Sequence, residues 1–253
     1  MAVTGDALLE VRVLHPSDAE AALAGGADRL LVVALGEHGG EPQAHAPEPA
    51  LVSSVARATE LPVRALLRLP DDAERVDSTT GAGLVRMAGL AHEYVACGAE
   101  GVAFGFLTDQ LEVDVELCTA LAEQLPCPWT FTRAIDYALD HRRAWRQVAG
   151  LPRLDAVLAA GSPLGATRGH EALLQALEQP GVVDLLVAAG GVTPEQVPWL
   201  LQSGVRAFQL GSAARPDRSW SKAHTDAGLV RSWRLLLDDE LARRRSSTAG
   251  RRH

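Results

Sequence analysis

The sequence predicts an α/β fold, a single-domain (β/α)8 TIM barrel, and three observations predict it. Short apolar segments alternate with helical stretches eight times within 253 residues, the usual size of that fold. A recurring phrase (Gly25-Gly26-Ala27-Asp28, Cys97-Gly98-Ala99-Glu100, Ser203-Gly204-Val205-Arg206) places glycine at a helix C-terminus immediately before a strand. The stretch Val182–Arg215 reads as strand, glycine turn, helix and strand, a βαβ unit whose strands must be parallel. An open doubly wound sheet is the alternative, but no G-x-G-x-x-G follows the first strand.

Each element has its own justification. Leu8–Leu14 is the first strand, His15-Pro16-Ser17 opens a helix, and Leu30–Leu35 is the second strand. Gly36–Pro49, rich in glycine and proline, reads as a loop, and a helix to Thr59 precedes the third strand, Val63–Leu69. The polar, acidic stretch Pro70–Thr80 is another loop before the helix Gly83–Cys97 and the strand Val102–Phe106. Asp114–Gln124 is a helix, Trp129–Arg133 the fifth strand, Leu139–Val148 a helix and Ala156–Ala160 the sixth strand. After the helix Gly169–Leu177 come the strand Asp184–Ala188, a helix with Thr193 as N-cap and Pro194 at its first position, and the strand Ala207–Leu210. Leu229, Trp233, Leu236, Leu237 and Leu241 form one apolar stripe on the last helix, Asp226–Arg245. The barrel thus spans residues 1–245, and 246–253 are expected to be a frayed C-terminal tail.

Composition narrows the function. A net charge of −8 argues against a nucleic-acid or anionic-membrane surface, and no apolar run approaches a membrane span. Three cysteines fit neither a disulfide framework nor a zinc motif, so reduced packing thiols in a cytoplasmic protein are expected. The N-terminal MAVTGDALLEV lacks the basic and apolar regions of a signal peptide. Assembly into a homo-oligomer stays open.

Charges within the strands carry the chemistry. Glu10 and Arg12 share one face of the first strand, and Arg64 and Arg68 share one face of the third. Arg133 ends the fifth strand, with Asp136 just beyond. An unpaired charge on the helix-covered outside would cost several kcal/mol, so these groups are expected inside the barrel or at its C-terminal mouth. An internal salt-bridge cluster, Glu10 with an arginine, is the structural alternative. The glycine turns Gly190-Gly191 and Gly211-Ser212 could cradle an anion, as loops after strands seven and eight do in this fold, or simply turn tightly. With four arginines, they point to a small anionic ligand. His15 and His38 in strand-end loops are further acid–base candidates.

Several pieces in order resemble the copper-homeostasis CutC family of (β/α)8 barrels, from about Leu8 to Leu237. They are LLEV at Leu8–Val11, GGADRL at Gly25–Leu30, EHGG at Glu37–Gly40, TFTRAID at Thr130–Asp136, and the AGGV and GSA turns. Glu10, Arg68, Arg133 and Asp136 match the family pattern. Where the family carries cysteines on its first two strands this chain has Arg12, Val13 and Leu31-Val32-Val33; its usual histidine positions hold Arg64, Thr132 and Gln209. Copper(I) prefers thiolate and thioether ligands, so weak copper binding is expected.

Three functions compete on this basis. The first is a barrel that binds a small anionic or phosphorylated metabolite and converts it by lyase, isomerase or cyclase chemistry without metal or cofactor. Arg68 and Arg133 would hold and polarise the anion, Glu10, His15 or His38 would move a proton, and Arg12, Arg64 and Asp136 are further candidates for the same site. The second is the copper handling the family name implies. The third is a non-catalytic metabolite-binding barrel.

Overall fold

The computed structural model describes residues 6–38, 41–68 and 81–250. Its strands are β1 (Leu8–Val13), β2 (Arg29–Val32), β3 (Ala34–His38), β4 (Glu41–His45), β5 (Val63–Leu66), β6 (Gly101–Phe104), β7 (Trp129–Phe131), β8 (Leu154–Ala159), β9 (Leu186–Ala188) and β10 (Ala207–Leu210). Eight of them close a parallel barrel in the order β1-β2-β5-β6-β7-β8-β9-β10, while β3 and β4 pair antiparallel as a hairpin. The helices are α1 (Pro16–Gly25), α2 (Pro49–Arg57), α3 (Gly81–Ala96), α4 (Val115–Gln124), α5 (His141–Ala149), α6 (Ala166–Ala176), α7 (Val182–Leu185), α8 (Val197–Gln202) and α9 (Ala227–Gly250).

Strand alternation builds two cores. Leu9, Val11, Val13, Leu30, Val32, Val102, Phe104, Trp129, Phe131 and Phe208 face outward into the layer beneath the helices, where Phe104 and Trp129 stack at 4.0 Å between ring centroids. Each buried aliphatic side chain there stabilises the fold by about 1.5–3 kcal/mol. The opposite parity, Leu14, Leu31, Val33, Leu66, Ala103, Ala156, Leu158, Val187 and Ala189, fills the barrel interior. Leucine and valine predominate there, as is usual for a barrel of this kind, with Ala103, Ala156 and Ala189 as the small members.

The barrel closes along the β1–β10 seam, with Glu10 opposite Gln209 and Val11 opposite Leu210. Outside it α1 lies against α9, and Gly25 permits the approach, since a Cβ there would sit 2.5 Å from Val230 Cβ. Buried Asp28 accepts from the Leu9 amide at 2.8 Å and from Arg234 of α9 at 3.1 Å, and Arg234 also donates to the Ala7 carbonyl. Residues from both ends of the sequence thus satisfy one another's polar groups.

Several sequence expectations are corrected. The expected loop Gly36–Pro49 contains the β3–β4 hairpin, whose backbone pairing needs no apolar alternation. The expected strand Asp184–Ala188 starts as helix α7, and β9 begins only at Leu186. The fifth barrel strand stops at Phe131, because Arg133–Tyr137 coils into a 3-10 turn capped by the Thr132 side chain. Helix α9 continues to Gly250, past the expected end at Arg245; residues 251–253, and the whole of the expected Pro70–Thr80 loop, lie outside the described residues. Among the described residues no helix is long and apolar enough to cross a membrane.

Candidate functional site

In a parallel barrel every strand points the same way, so a residue's place along its strand gives its height. Arg29 opens β2, Arg64 is second in β5 and Asp155 second in β8, all in the amino-terminal half. There Glu10, 1% exposed, takes Arg29 Nε on Oε2 at 2.5 Å and Gln209 Nε2 on Oε1 at 2.7 Å. Arg64 pairs through both terminal nitrogens with the Asp155 carboxylate and also donates to Thr130 Oγ1. Arg64, expected inside the barrel or at its mouth, lies inside it toward the amino-terminal end. Glu10 is tied to Arg29, not to Arg68.

The mouth is built by the residues that follow the strands. Arg12, two residues beyond Glu10 on the same face, reaches Gln209 Oε1 at 3.4 Å and lies over the Trp220 ring at 5.5 Å from its centroid. Its Nε is buried without a hydrogen-bond partner among the described residues. Burial, then the nearby positive charges of Arg133 and Arg215, lower the Arg12 pKa to about 10 against the pull of Glu10.

Arg133, in the turn after β7, donates from Nε to Asp136 Oδ2 at 2.8 Å and from Nη2 to the Ser162 and Pro163 carbonyls. Asp136 in turn accepts from the amides of Ala160 and Gly161, which pins the β7 and β8 loops together. Burial nevertheless pushes the Asp136 pKa up, opposed by Arg133 and those amides. Gly190 (φ 72) has a positional reason: a Cβ there would meet the Arg133 guanidinium carbon at 2.7 Å. This half of the expected glycine cradle is occupied by the chain's own arginine. A Cβ on neighbouring Gly191 would meet nothing within 4 Å.

After β10, Gly211 gives room to Trp220, whose Cζ2 would lie 3.1 Å from a Cβ at that position. Ser212 starts a short 3-10 turn leading to Arg215. Arg215 also packs on this ring: its guanidinium carbon is 4.7 Å from the Trp220 centroid, and its Nη2 donates to Asp18 Oδ2 at 2.6 Å. Asp18, fully buried, also accepts from the amides of Leu14 and Thr225. Burial acts to raise its pKa, but these donors outweigh it and hold the carboxyl below its ordinary value. His15 and His224 stand edge to face at 5.3 Å above Asp18, both exposed.

Of the remaining expected residues, Arg68 follows β5 and donates to the Ala44 carbonyl of the hairpin at 3.4 Å. His38 ends β3, and its side chain is outside the described residues. Sequence reading missed Arg29, Asp155, Asp18, Arg215 and Trp220. A signal existed for Arg29: a charge at the head of an otherwise apolar strand. A separate cleft of about 60 Å³ beside Leu111, Leu139 and the exposed Arg143–Glu112 pair has no buried polar group converging on it.

Fold and mouth together define the class, a single-domain (β/α)8 barrel with interior ion pairs below and arginines around its C-terminal opening. The chain belongs to the CutC family, whose model matches residues 7–214. It is 29% identical over 213 residues to the human copper homeostasis protein cutC homolog, covering 83% of this chain and 75% of that one. It is 30% identical over 202 residues to a family protein CutC of Caulobacter vibrioides, covering 79% and 78%. A crystal structure of a Streptococcus agalactiae protein named for copper homeostasis as CutC superposes with a TM-score of 0.66 at 19% identity, over 81% of this chain and 98% of that one. Pyrococcus furiosus thiamine phosphate pyrophosphorylase superposes at 0.57 with 15% identity, over 94% and 98%, a likeness of fold.

Proposed function

We propose that this chain binds a small carboxylate- or phosphate-bearing metabolite at the barrel mouth, with Arg12 as the group that reads its charge. The observation that supports this is a charge count. Arg133 has Asp136 and Arg215 has Asp18, whereas Arg12 lies in the field of both arginines with only the Gln209 amide oxygen as hydrogen-bond partner among the described residues. A desolvated guanidinium with like charges beside it gains most from an anion, through charge-assisted hydrogen bonds of about 1.5–3 kcal/mol each.

Conversion of the bound anion by lyase or isomerase chemistry needs a group that moves a proton. Glu10 is held on both oxygens by Arg29 and Gln209, so that task would fall to His15 or His224 at the rim. The relatives' names point instead to copper. The residues present fit a copper(I) site poorly: Cys118 is buried with its thiol pushed up to about 12 by burial, and Cys127 is raised for the same reason. Among the described residues no three His, Cys, Asp or Glu side chains converge on a metal-sized position.

Calorimetric titration with inorganic phosphate and with a panel of small carboxylates and phosphate esters tests the proposal. Saturable binding that Arg12→Met weakens supports it. Failure of the whole panel, with stoichiometric sub-nanomolar copper(I) uptake that serine substitution of the cysteines abolishes, overturns it.

A further inference from the structure

Trp220 is the one aromatic side chain described at the mouth that touches two of its cations, Arg12 at 5.5 Å and Arg215 at 4.7 Å from the ring centroid. Its place is fixed from several directions. Beneath it Gly211 lacks the side chain that would crowd the ring. The loop carrying it, Arg215–Thr225, is closed at its base by the Asp226 amide on the Ala214 carbonyl at 2.8 Å. Arg215 Nη1 donates to the Ala223 carbonyl within the loop, and Asp18 holds both ends, taking Arg215 Nη2 and the Thr225 amide. Between these anchors Asp217 and Arg218 both adopt left-handed backbone (φ 53 and 55), which costs energy for residues with a Cβ and persists only where surrounding contacts over-determine it.

Resting on the anion reading above, we infer that Trp220 is a positioning residue for that site, and that its indole restricts the ligand to a compact anion bound by the Arg12 guanidinium edge. The electron-rich ring face attracts both guanidinium groups and offsets their mutual repulsion. Held over the ring, Arg12 keeps in-plane N–H groups for a carboxylate or phosphate, whereas Arg215 spends Nη1 and Nη2 on Ala223 and Asp18 and contributes its charge. The indole also takes the place in which a ligand's own aromatic ring would stack on Arg12 or Arg215. Recognition is therefore of the charged group, not of an attached ring.

The test compares wild-type protein with Trp220→Phe and Trp220→Ala, using inorganic phosphate and phenyl phosphate as probes in calorimetry. Wild type should bind inorganic phosphate at least as tightly as phenyl phosphate. Trp220→Ala should weaken inorganic phosphate by about tenfold and shift the preference to phenyl phosphate, whose phenyl group takes the indole's place. Trp220→Phe, which keeps a ring face, should restore phosphate affinity to within about threefold of wild type. Should Trp220→Ala not fold, phosphate must still alter wild-type tryptophan emission, and that response must vanish in Trp220→Phe. Phosphate affinity unchanged within about twofold in Trp220→Ala, or an emission response equal in wild type and Trp220→Phe, overturns the positioning role and leaves the anion reading intact. No anion binding by any of the three proteins removes both.

Discussion

The two ends of the barrel use the same residue types to opposite effect. In the amino-terminal half each interior arginine meets a carboxylate, Arg29 with Glu10 and Arg64 with Asp155, and Gln209 and Thr130 complete the contacts. At the mouth Arg12 has no such partner among the described residues and stands beside Arg133 and Arg215. Neutralised interior charge holds strands in register and contributes little outward field. Surplus charge at an opening costs stability and is retained where it meets something from solution. Strand parity alone makes the two sets look alike; only their partners separate them.

The sharpest way to break this comparison is at the bottom. Arg29→Met leaves Glu10 buried opposite an apolar side chain and should destabilise the protein by about 3–5 kcal/mol in urea unfolding. A loss below about 1 kcal/mol would show that the lower pair carries no structural weight.

Next in size is Asp18→Asn, expected to cost about 2 kcal/mol at pH 7 through its weakened hold on Arg215 and two amides. Asp18 has a folded pKa below its unfolded value, so its contribution is complete above about pH 4 and is lost as pH falls through the folded pKa. The stability difference between wild type and Asp18→Asn should therefore shrink on acidification. A difference that does not change with pH would contradict the lowered pKa.

Arg12→Met sharpens the contrast with Arg29. It should weaken phosphate binding by about tenfold or more, about 1.4 kcal/mol, and leave urea stability within about 0.5 kcal/mol of wild type or raise it. If it instead destabilises as much as Arg29→Met, the two regions do not differ as argued.

The smallest effect belongs to Gly190→Ala, about 1 kcal/mol in thermal or urea unfolding, from a left-handed backbone and a methyl group pressed on Arg133. Its phosphate affinity reports whether the seat of Arg133 matters to the site.

The barrel was legible because its signals are local. A glycine cap immediately before a strand, as at Gly26 and Gly98, records one helix end and one strand start in adjacent residues. The parity of Glu10 with Arg12, and the position of Arg64, correctly placed these side chains inside. What parity could not supply was height or partner. Nothing near Arg64 says that its carboxylate lies 91 residues away in Asp155, and Asp18 and Arg215 are separated by 197. Trp220 escaped notice because a lone tryptophan in a polar loop has no periodicity to read. The β3–β4 hairpin escaped because its residues carry loop-like composition, and backbone pairing rather than side-chain pattern holds it together.

The β1–β10 seam also sets a schedule for synthesis. Asp28 receives Arg234 across 206 residues, Gln209 reaches Glu10 across 199, and Asp18 receives the Thr225 amide across 207. At about 5–20 residues per second, translation takes roughly 10–40 s to deliver these partners after the first helix has emerged. During that interval the nascent chain cannot make the contacts that close its first strand against its last. Ribosome-bound fragments ending before β10 should accordingly remain open to proteases at β1, and protection there should arise late, once the residues of α9 have left the exit tunnel.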